Sequence, residues 1–466
     1  MDLAIKNTTL ITLQGNGLGI IKNGAVGIDM DKISFVGKTR DLDEENYSSI
    51  IDGTNHVTMP GLVDAHIHSG LALLRGTAQD VPEIEWMDKA LGPITQHMSE
   101  DDIIVGSKLG VLEGLRSGTT TFAEFTNHLD RTIKEVYKPF SARVVGAETI
   151  NEVTSREEDT YRLETSKTQL QENEHLFKKY GQNDLVDIMY GPQALDMISI
   201  ETLKKIYERA EDHDRRIHMH VAQGGRERKQ IENRYGCSTV EKLKEEDMLN
   251  ERLLAAHCHA TTQEEKQLMV EKGVNMVGCP SSIGMIDGIV PPIKDFLSHG
   301  GTVALGSDQV PGNGAHNLFR EMRTISLLTK CRDNDPTALP PWKTLKLATK
   351  SGAQALGLKN KIGTLEEGKK ADIITVNLEN INLTPAVHEP FRNFIPNLIY
   401  SSSGFEVDNV IINGNKVLRN GEFVDIDETQ IKEEAENRAE EILDKAESDW
   451  READSRMVEY RKDGLI

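Results

Sequence analysis

Five side chains of types that bind divalent metals stand in four short motifs of the sequence. His66 and His68 lie two residues apart in DAHIHSG, His220 stands in HMHVA, His257 in AAHCHA and Asp308 in ALGSDQV. Three or four imidazoles with one carboxylate suit Zn²⁺, or Fe²⁺ where metal availability decides. A metal in such a site lowers the pKa of a bound water, so the chemistry that these residues predict is hydrolysis.

Each motif taken alone also has an ordinary structural explanation. A His-x-His pair can be satisfied in a core, His257 could simply end a strand, and an aspartate after a strand often forms a turn. His218 competes with His220 as a ligand, and we expect its side chain to point the opposite way. Cys258 is expected to pack in the core rather than to bind the metal. The combination of all four motifs favours the metal site.

The elements that must position these residues are repeated βα units. Apolar runs between residues 59 and 364 alternate with helical patterns, as in a parallel sheet with crossover helices. Eight strands are predicted, at 61–65, 119–124, 142–148, 185–190, 216–222, 252–257, 274–279 and 302–307. One helix should begin after Ser99 and end near Ser117, and another should span about 156–180. The pattern predicts an α/β fold, a (β/α)8 TIM-type barrel whose working residues share the C-terminal rim of its strands.

The segments on either side of the barrel have a different pattern. Residues 1–58 and 363–425 contain short β runs separated by turn dipeptides such as NG at 23–24. We expect these two segments to pair into one composite β-sandwich domain. The catalytic barrel would then occupy residues 59–362.

The last segment, residues 426–466, is predicted to be a highly charged C-terminal helix. Its charge run is typical of a solvated face. Ile431, Ile442 and Leu443 would dock on the body of the protein.

Composition and charge exclude several classes of partner. The chain has 466 residues with a net charge of −21, so nucleic acid and anionic membranes would be repelled. There is no apolar run of about 18 residues, no signal-peptide pattern and no G-x-G-x-x-G after a strand. Four scattered cysteines do not suggest a disulfide framework. The expected partner is a small-molecule substrate, and the expected location is the cytoplasm.

Several motifs together resemble the amidohydrolase superfamily, in its branch of adenosine-derivative and triazine deaminases and chlorohydrolases. They are PGLVDAHIHSGLALLRG, HMHVA, AAHCHA, ALGSD and IGTLEEGKKADIITVN, and the resemblance covers nearly the whole chain. It implies one Zn²⁺ or Fe²⁺ per chain, with the ligands His66, His68, His220 and Asp308. Binuclear relatives carry a bridging lysine after strand four, where this chain reads MYGPQAL. A homo-oligomer is a further implication of the resemblance.

The same residues suggest a mechanism of hydrolytic deamination. Asp308 would accept the proton of the attacking water and deliver it to the leaving group, while His257 holds the water. In related deaminases a glutamate three residues after the strand-five ligand protonates a ring nitrogen. Here that residue is Gln223, which can donate a hydrogen bond but cannot transfer a proton. Either the substrate does not need that proton, or another acid supplies it.

The substrate contacts depart from the nucleoside-binding pattern of the resemblance. Trp86 is a candidate to stack on a flat ring. A ribose-binding glutamate is replaced by Thr95, a histidine of GPH by Gln193, and an asparagine by Ile283. Asn313, in the loop after strand eight, is a further candidate contact. These departures favour a small heterocycle without a sugar.

Three functions remain open at this point. The first is an aminohydrolase that releases ammonia from an aminopyrimidine, triazine, pterin or purine base. The second keeps the hydrolytic site but expels a halide or a substituted amine, or opens a cyclic amide. The third is a non-catalytic, metal-bound binding protein on the same fold.

Overall fold

Eight parallel strands form the barrel. The computed structural model describes residues 1–156, 160–165, 167–181 and 183–466. The eight strands pair in chain order, and a bridge between Ile67 and Asp308 brings the first and last together, so the barrel is nearly closed. The barrel strands are Leu62–Ile67, Thr119–Thr126, Arg143–Ile150, Val186–Pro192, Ile217–Val221, Leu253–His257, Asn275–Gly278 and Val303–Leu305. All eight predicted strands and the TIM-type barrel are confirmed.

Helices follow the barrel strands. The predicted helix after Ser99 is confirmed: Ser99 and Asp102 form a capping box, and the helix ends before Ser117. The longer helices associated with the barrel are Glu100–Arg116, Lys167–Tyr180, Ile200–Asp212, Gly224–Tyr235, Gln263–Glu271 and Leu318–Asp333. The shorter ones are Glu83–Glu85, Gly92–Thr95, Leu129–Thr132, Thr239–Glu245, Pro280–Ile286, Ile293–Ser298, Val310–Asn313, Pro341–Leu347, Lys350–Ala355 and Phe394–Tyr400.

Short 3₁₀ and π-helical turns lie in the loops that connect the strands and the α-helices. The 3₁₀ turns are Thr39–Asp41, Glu44–Asn46, Ser69–Leu74 and Leu195–Met197, and the π-helical turns are Trp86–Leu91 and Ile133–Tyr137. Trp86–Leu91 lies in the loop after the first barrel strand. This loop connects the first barrel strand to the helix Glu100–Arg116.

Both ends of the chain build one further sheet. Its strands are Leu3–Ile11, Ile20–Asp29, Lys32–Lys38, Ser49–Asp52, His56–Pro60, Ile373–Asn377, Val407–Ile412, Asn415–Arg419 and Glu422–Phe423. His56–Pro60 pairs with Ile373–Asn377, which joins the N-terminal and C-terminal halves. The composite origin of this small β domain thus matches the prediction, although its strands form one continuous hydrogen-bonded sheet.

The second predicted barrel helix is shorter in the structure. The helix expected over about 156–180 covers only Lys167–Tyr180, because a short strand pair, Val153–Ser155 with Arg162–Leu163, precedes it. Residues 157–159 and 166 of that prediction lie outside the described residues.

The charged tail forms two helices, Glu428–Ala453 and Arg456–Lys462. Ile431 and Ile442 are buried as expected, but Leu443 is 38% exposed, so its predicted docking is wrong. No described helix has the length and apolar character needed to cross a membrane.

Candidate active site and metal centre

The four motifs converge on the C-terminal rim of the barrel. His68 Nε2 lies 3.3 Å from His220 Nε2, and Asp308 Oδ1 lies 3.5 Å from His66 Nε2 and 3.6 Å from His68 Nε2. The side chains form two overlapping groups that share His66, and the ligand atoms of each group lie within 4.8 Å of one another. One group is His66, His68 and His220; the other is His66, His257 and Asp308. All five predicted side chains are therefore brought to one point.

Backbone carbonyls orient two of the imidazoles. His68 Nδ1 lies 2.8 Å from the carbonyl oxygen of Phe125, and His220 Nδ1 lies 2.7 Å from that of Gln193. A carbonyl oxygen accepts only, so in both rings Nδ1 carries the proton and Nε2 presents its lone pair to the cluster. Metal-binding histidines are typically held in this way.

The backbone of Asp308 fixes its carboxylate. Its amide donates to the carbonyl of His66, and its carbonyl accepts from the amide of His68, each at 2.9 Å. Asp308 has φ of 62°, an uncommon value for a residue with a side chain. The hydroxyl of Ser282 donates to Oδ2, which leaves Oδ1 directed at the imidazoles.

The donor set fits a divalent metal. His66 Nε2 and both ring nitrogens of His257 are buried without a hydrogen-bond partner in the protein. Burial lowers the pKa of His257 to about 3 and holds the pKa values of His66 and His220 well below their usual range. These imidazoles are consequently neutral at pH 7, the form that binds metal. Orphaned, neutral nitrogens beside a carboxylate are what a Zn²⁺ or Fe²⁺ site requires.

The expectation for His218 is wrong. Its Nε2 lies 2.8 Å from His66 Nδ1, and it is fully buried on the same face of the strand as His220. Successive strand residues alternate between faces, so residues two apart point the same way. Cys258 is buried in the core, as expected.

A cavity of about 180 Å³ opens beside the metal ligands. Trp86, Gln193 and Gln223 line it together with His68, His220 and Asp308. The Trp86 indole donates to the carbonyl of Ala78 at 3.1 Å, which fixes the ring. Asn151 Nδ2 donates to Gln193 Oε1 at 2.6 Å. The predicted substrate contacts Trp86 and Gln193 and the predicted catalytic residue Gln223 therefore all lie on the wall of this cavity.

The other substrate-side residues lie elsewhere. Thr95 lines a neighbouring cavity of about 850 Å³, which shares Leu71 and Met87 with the first. The Asn313 side chain donates to the carbonyls of Ser307 and Ala315 and closes its own turn. Ile283 is fully buried in a core helix.

Sequence reasoning missed several polar residues around the cavity. Glu83 and Arg226 line it; Arg226 Nε lies 3.3 Å from Glu83 Oε1, and Arg226 also pairs with the buried Asp196. Ser282, which holds Asp308, was also missed. Gln223 could have indicated Glu83, because a glutamine at the position of the expected acid predicts that another acid lies on the loops of the rim.

Known proteins resemble this chain over almost all of its length. The model of the amidohydrolase family matches residues 57–417. The chain is 33% identical over 430 residues to a 5-methylthioadenosine/S-adenosylhomocysteine deaminase of Moorella thermoacetica, covering 92% of this chain and 97% of the relative. It is 32% identical over 448 residues to a 5'-deoxyadenosine deaminase of Methanosarcina acetivorans, covering 96% and 99%.

Solved structures agree with the fold. An adenosine deaminase from Xanthomonas campestris with bound zinc superposes with a TM-score of 0.88 at 26% identity, covering 95% of this chain and 98% of that one. An atrazine chlorohydrolase from Arthrobacter aurescens, complexed with zinc, gives a TM-score of 0.85 at 23% identity, covering 94% and 100%.

Proposed function

Because the chain belongs to the amidohydrolase family, we propose that it is a metal-dependent hydrolytic deaminase that releases ammonia from an amino-substituted N-heterocycle. The observation that carries this proposal is the meeting of unpaired imidazole nitrogens and the Asp308 carboxylate at the wall of a cavity lined by Trp86. The third function considered above, a non-catalytic binding protein, loses support because the ligand cluster is complete.

One divalent ion per chain is the proposed cofactor, held by His66, His68, His220 and Asp308. The orphaned nitrogens, and the overlap at His66 of the two ligand groups found among the described residues, support one ion. Zinc is the preferred ion because a similar deaminase structure contains it. When bound, the ion would lower the pKa of a water molecule and supply a nucleophile near neutral pH.

Protein side chains would then transfer the protons and hold the reacting groups in place. Asp308 would accept the proton of the attacking water and pass it to the departing amino group, while Ser282 keeps Oδ2 occupied. His257, neutral and unpaired, would hold the attacking oxygen in place. Trp86 would stack on the ring and exclude water from its face.

A heterocycle without a sugar is the proposed substrate class. The volume of about 180 Å³ is below the range of about 300–1,000 Å³ usual for ligand pockets, which favours a small ring. A second candidate is an adenosine derivative, as in the named relatives. The larger cavity that shares Leu71 and Met87 favours it, since a sugar could extend there.

The net charge and the free cysteines favour a cytoplasmic enzyme. The net charge of −21 disfavours nucleic acid and anionic membranes as partners. Cys237, Cys258, Cys279 and Cys331 are free thiols, which suits a reducing compartment. We propose the cytoplasm as the location on these grounds.

Ammonia release across a substrate panel tests the proposal. Zinc-loaded protein is assayed with aminopyrimidines, aminotriazines, pterins, purine bases and adenosine derivatives, with Asp308→Asn as the blank. Release from a free base, abolished in the variant, supports the sugar-free class; release only from adenosine derivatives selects the second candidate. No release from any compound would contradict deamination and would direct the next assays to halides, substituted amines and cyclic amides as substrates.

A further inference from the structure

The cavity holds a carboxylic acid that the metal site does not use. Glu83 lines the same cavity as Gln223 and Asp308, and its side chain is 13% exposed. Gln223 cannot transfer a proton, and Asp308 is committed to the water and the leaving group. A deaminase of this design lacks a donor for the ring nitrogen unless another acid reaches it. Glu83 is the remaining carboxyl among the described residues that line this cavity.

Glycine at position 224 lets two carboxyl groups approach the backbone directly after Gln223. A Cβ atom there would lie 3.4 Å from Glu83 Oε2 and 3.2 Å from Asp287 Oδ1. The φ of Gly224 is +83°, which also favours glycine. Glu83 and Asp287 thus both lie beside the backbone that follows Gln223, although they come from different loops of the barrel rim.

The charges around Glu83 favour its protonated form. Arg226 Nε lies 3.3 Å from Glu83 Oε1, but Arg226 also pairs with the buried Asp196. Asp287 Oδ2 is buried without a hydrogen-bond partner and lies 3.6 Å from His259 Nε2. The Arg226 guanidinium is thus shared between Glu83 and Asp196, and the negative charge of Asp287 disfavours the ionised form of Glu83.

The pKa of Glu83 follows from this arrangement. Burial raises it, Arg226 lowers it, and Asp287 raises it again, so the pKa lies above its ordinary value. Arg226 contacts the Glu83 carboxyl, and Asp287 is close enough to act on it through its charge. Asp196 and Glu227 act on Arg226 in turn, and His259 lies beside Asp287. A raised pKa increases the protonated fraction near neutral pH, which is the form that an acid catalyst needs.

We propose that Glu83 donates the proton to the substrate ring nitrogen in place of Gln223, with Asp287 as its positioning partner. This inference rests on the proposed deamination. It assigns to Gln223 a hydrogen bond to the substrate and to Glu83 the proton transfer.

The proposed step is balanced in protons and electrons. The water oxygen forms a bond to the amino-bearing carbon, and the C=N electron pair moves to the ring nitrogen, which takes the Glu83 proton. Asp308 takes one water proton and gives it to the amino group. The C–N bond to that group then breaks and ammonia leaves with the bonding pair. The remaining proton on the added oxygen returns to Glu83, so the product is a ring lactam and both carboxyl groups are restored.

Substitution of Glu83 tests the assignment. Glu83→Gln should lower kcat for ammonia release by about 100-fold or more, with KM changed only severalfold, because a general acid is lost while a hydrogen-bonding group remains. Glu85→Gln is the matched control, since Glu85 lies in the same turn but does not line the cavity. Adding Gln223→Glu to Glu83→Gln should recover at least tenfold in kcat. Wild-type kcat within twofold in Glu83→Gln would overturn the proposal.

A second variant covers the case in which Glu83→Gln does not fold. Asp287→Asn removes the neighbouring negative charge, so the pKa of Glu83 should fall and the alkaline limb of kcat should move to lower pH. If the alkaline limb does not move, its pKa is not that of Glu83, and the proposal is overturned. A carboxylate with a purely structural role would leave the pH profile of kcat unchanged.

Infrared difference spectroscopy separates this proposal from the proposed function. At neutral pH, wild type minus Glu83→Gln should show the C=O stretch of a protonated carboxyl group. If wild type deaminates nothing but the band is present, the deaminase proposal fails and the acid at Glu83 is supported. Absence of the band overturns the Glu83 proposal whatever the activity.

Discussion

His218 lies directly behind His66, with its Nε2 2.8 Å from His66 Nδ1. His66 Nε2 faces the cluster without a hydrogen-bond partner; if it binds the proposed ion, Nδ1 carries the ring proton and donates it to His218 Nε2. His218 is buried and reaches no substrate cavity, which makes it a positioning residue. The proposed metal site would therefore depend on a histidine outside the proposed ligand set.

Removing the His218 imidazole, which bonds His66, should weaken metal binding. His218→Phe is expected to reduce zinc affinity by about 10–100-fold, because the second hydrogen bond of a ligating histidine fixes its orientation and tautomer. Competition with a chelator measures the affinity. His213→Phe removes a histidine that bonds Tyr190 away from the cluster, and it should retain wild-type affinity. Equal affinity in the two variants would contradict the role of His218.

Removing the Ser282 hydroxyl should lower kcat and leave the metal content unchanged. Ser282→Ala frees Asp308 Oδ2, and a hydrogen bond to a charged group is worth about 1.5–3 kcal/mol, so kcat should fall roughly 10- to 100-fold. Steady-state kinetics and metal analysis measure the two effects separately. Ser281→Ala is the control, because the Ser281 hydroxyl bonds Thr324 instead. If both serine variants keep wild-type kcat, Ser282 does not position Asp308.

Much of the architecture was predictable because it depends on periodic patterns. The eight apolar runs and the cap at Ser99 are local signals, and the apolar runs placed the five side chains of the cluster on one rim. His218 was misjudged because it was assigned to the face opposite His220, against the two-residue repeat of a strand. Periodicity alone would have placed it on the face of His220.

The cavity wall was less predictable for a different reason. Glu83, Arg226 and Asp287 come from separate loops, and none lies in a motif. Only their packing around Gly224 reveals that they meet. Thr95 failed to reach the cavity because its segment faces the larger neighbouring cavity.

A buried ion pair joins the barrel to the terminal sheet. Arg143 Nε and Nη2 contact the Asp372 carboxylate at 2.6 and 2.9 Å, and both side chains are almost fully buried. Asp372→Asn leaves the guanidinium charge without its partner, so unfolding should become easier by about 3–5 kcal/mol. Urea denaturation measures the loss. Glu447→Gln, which breaks an exposed pair with Arg451, should change stability by less than about 0.5 kcal/mol. Similar losses in the two variants would contradict the importance of burial.

The pairing of the two chain ends should be pH-dependent. His56 Nε2 lies 3.2 Å from Asp408 Oδ2. Burial lowers the pKa of His56, but the hydrogen bond to Asp408, the hydrogen bond to the carbonyl of Thr54 and the nearby negative charges together outweigh it, so the pKa is raised. The stabilisation is then fully present below about pH 6.5, the unfolded value, and is lost as pH rises through the raised folded pKa.

Comparison of wild type with Asp408→Asn measures this contribution. The difference in urea midpoint should be largest below about pH 6.5 and should shrink at alkaline pH. A difference that grows with rising pH would contradict the assignment of the positive charge to His56.

The most direct test of the central claim is a metal titration followed by ammonia release. Metal-free protein is reconstituted with increasing zinc, and ammonia release is measured on the best substrate of the panel in wild type and Asp308→Asn. We expect wild-type activity to rise linearly and to stop at one equivalent of zinc, with no activity in the variant. Activity without metal, activity that continues to rise to two equivalents, or an active Asp308→Asn protein would contradict a single-ion deaminase built on this cluster.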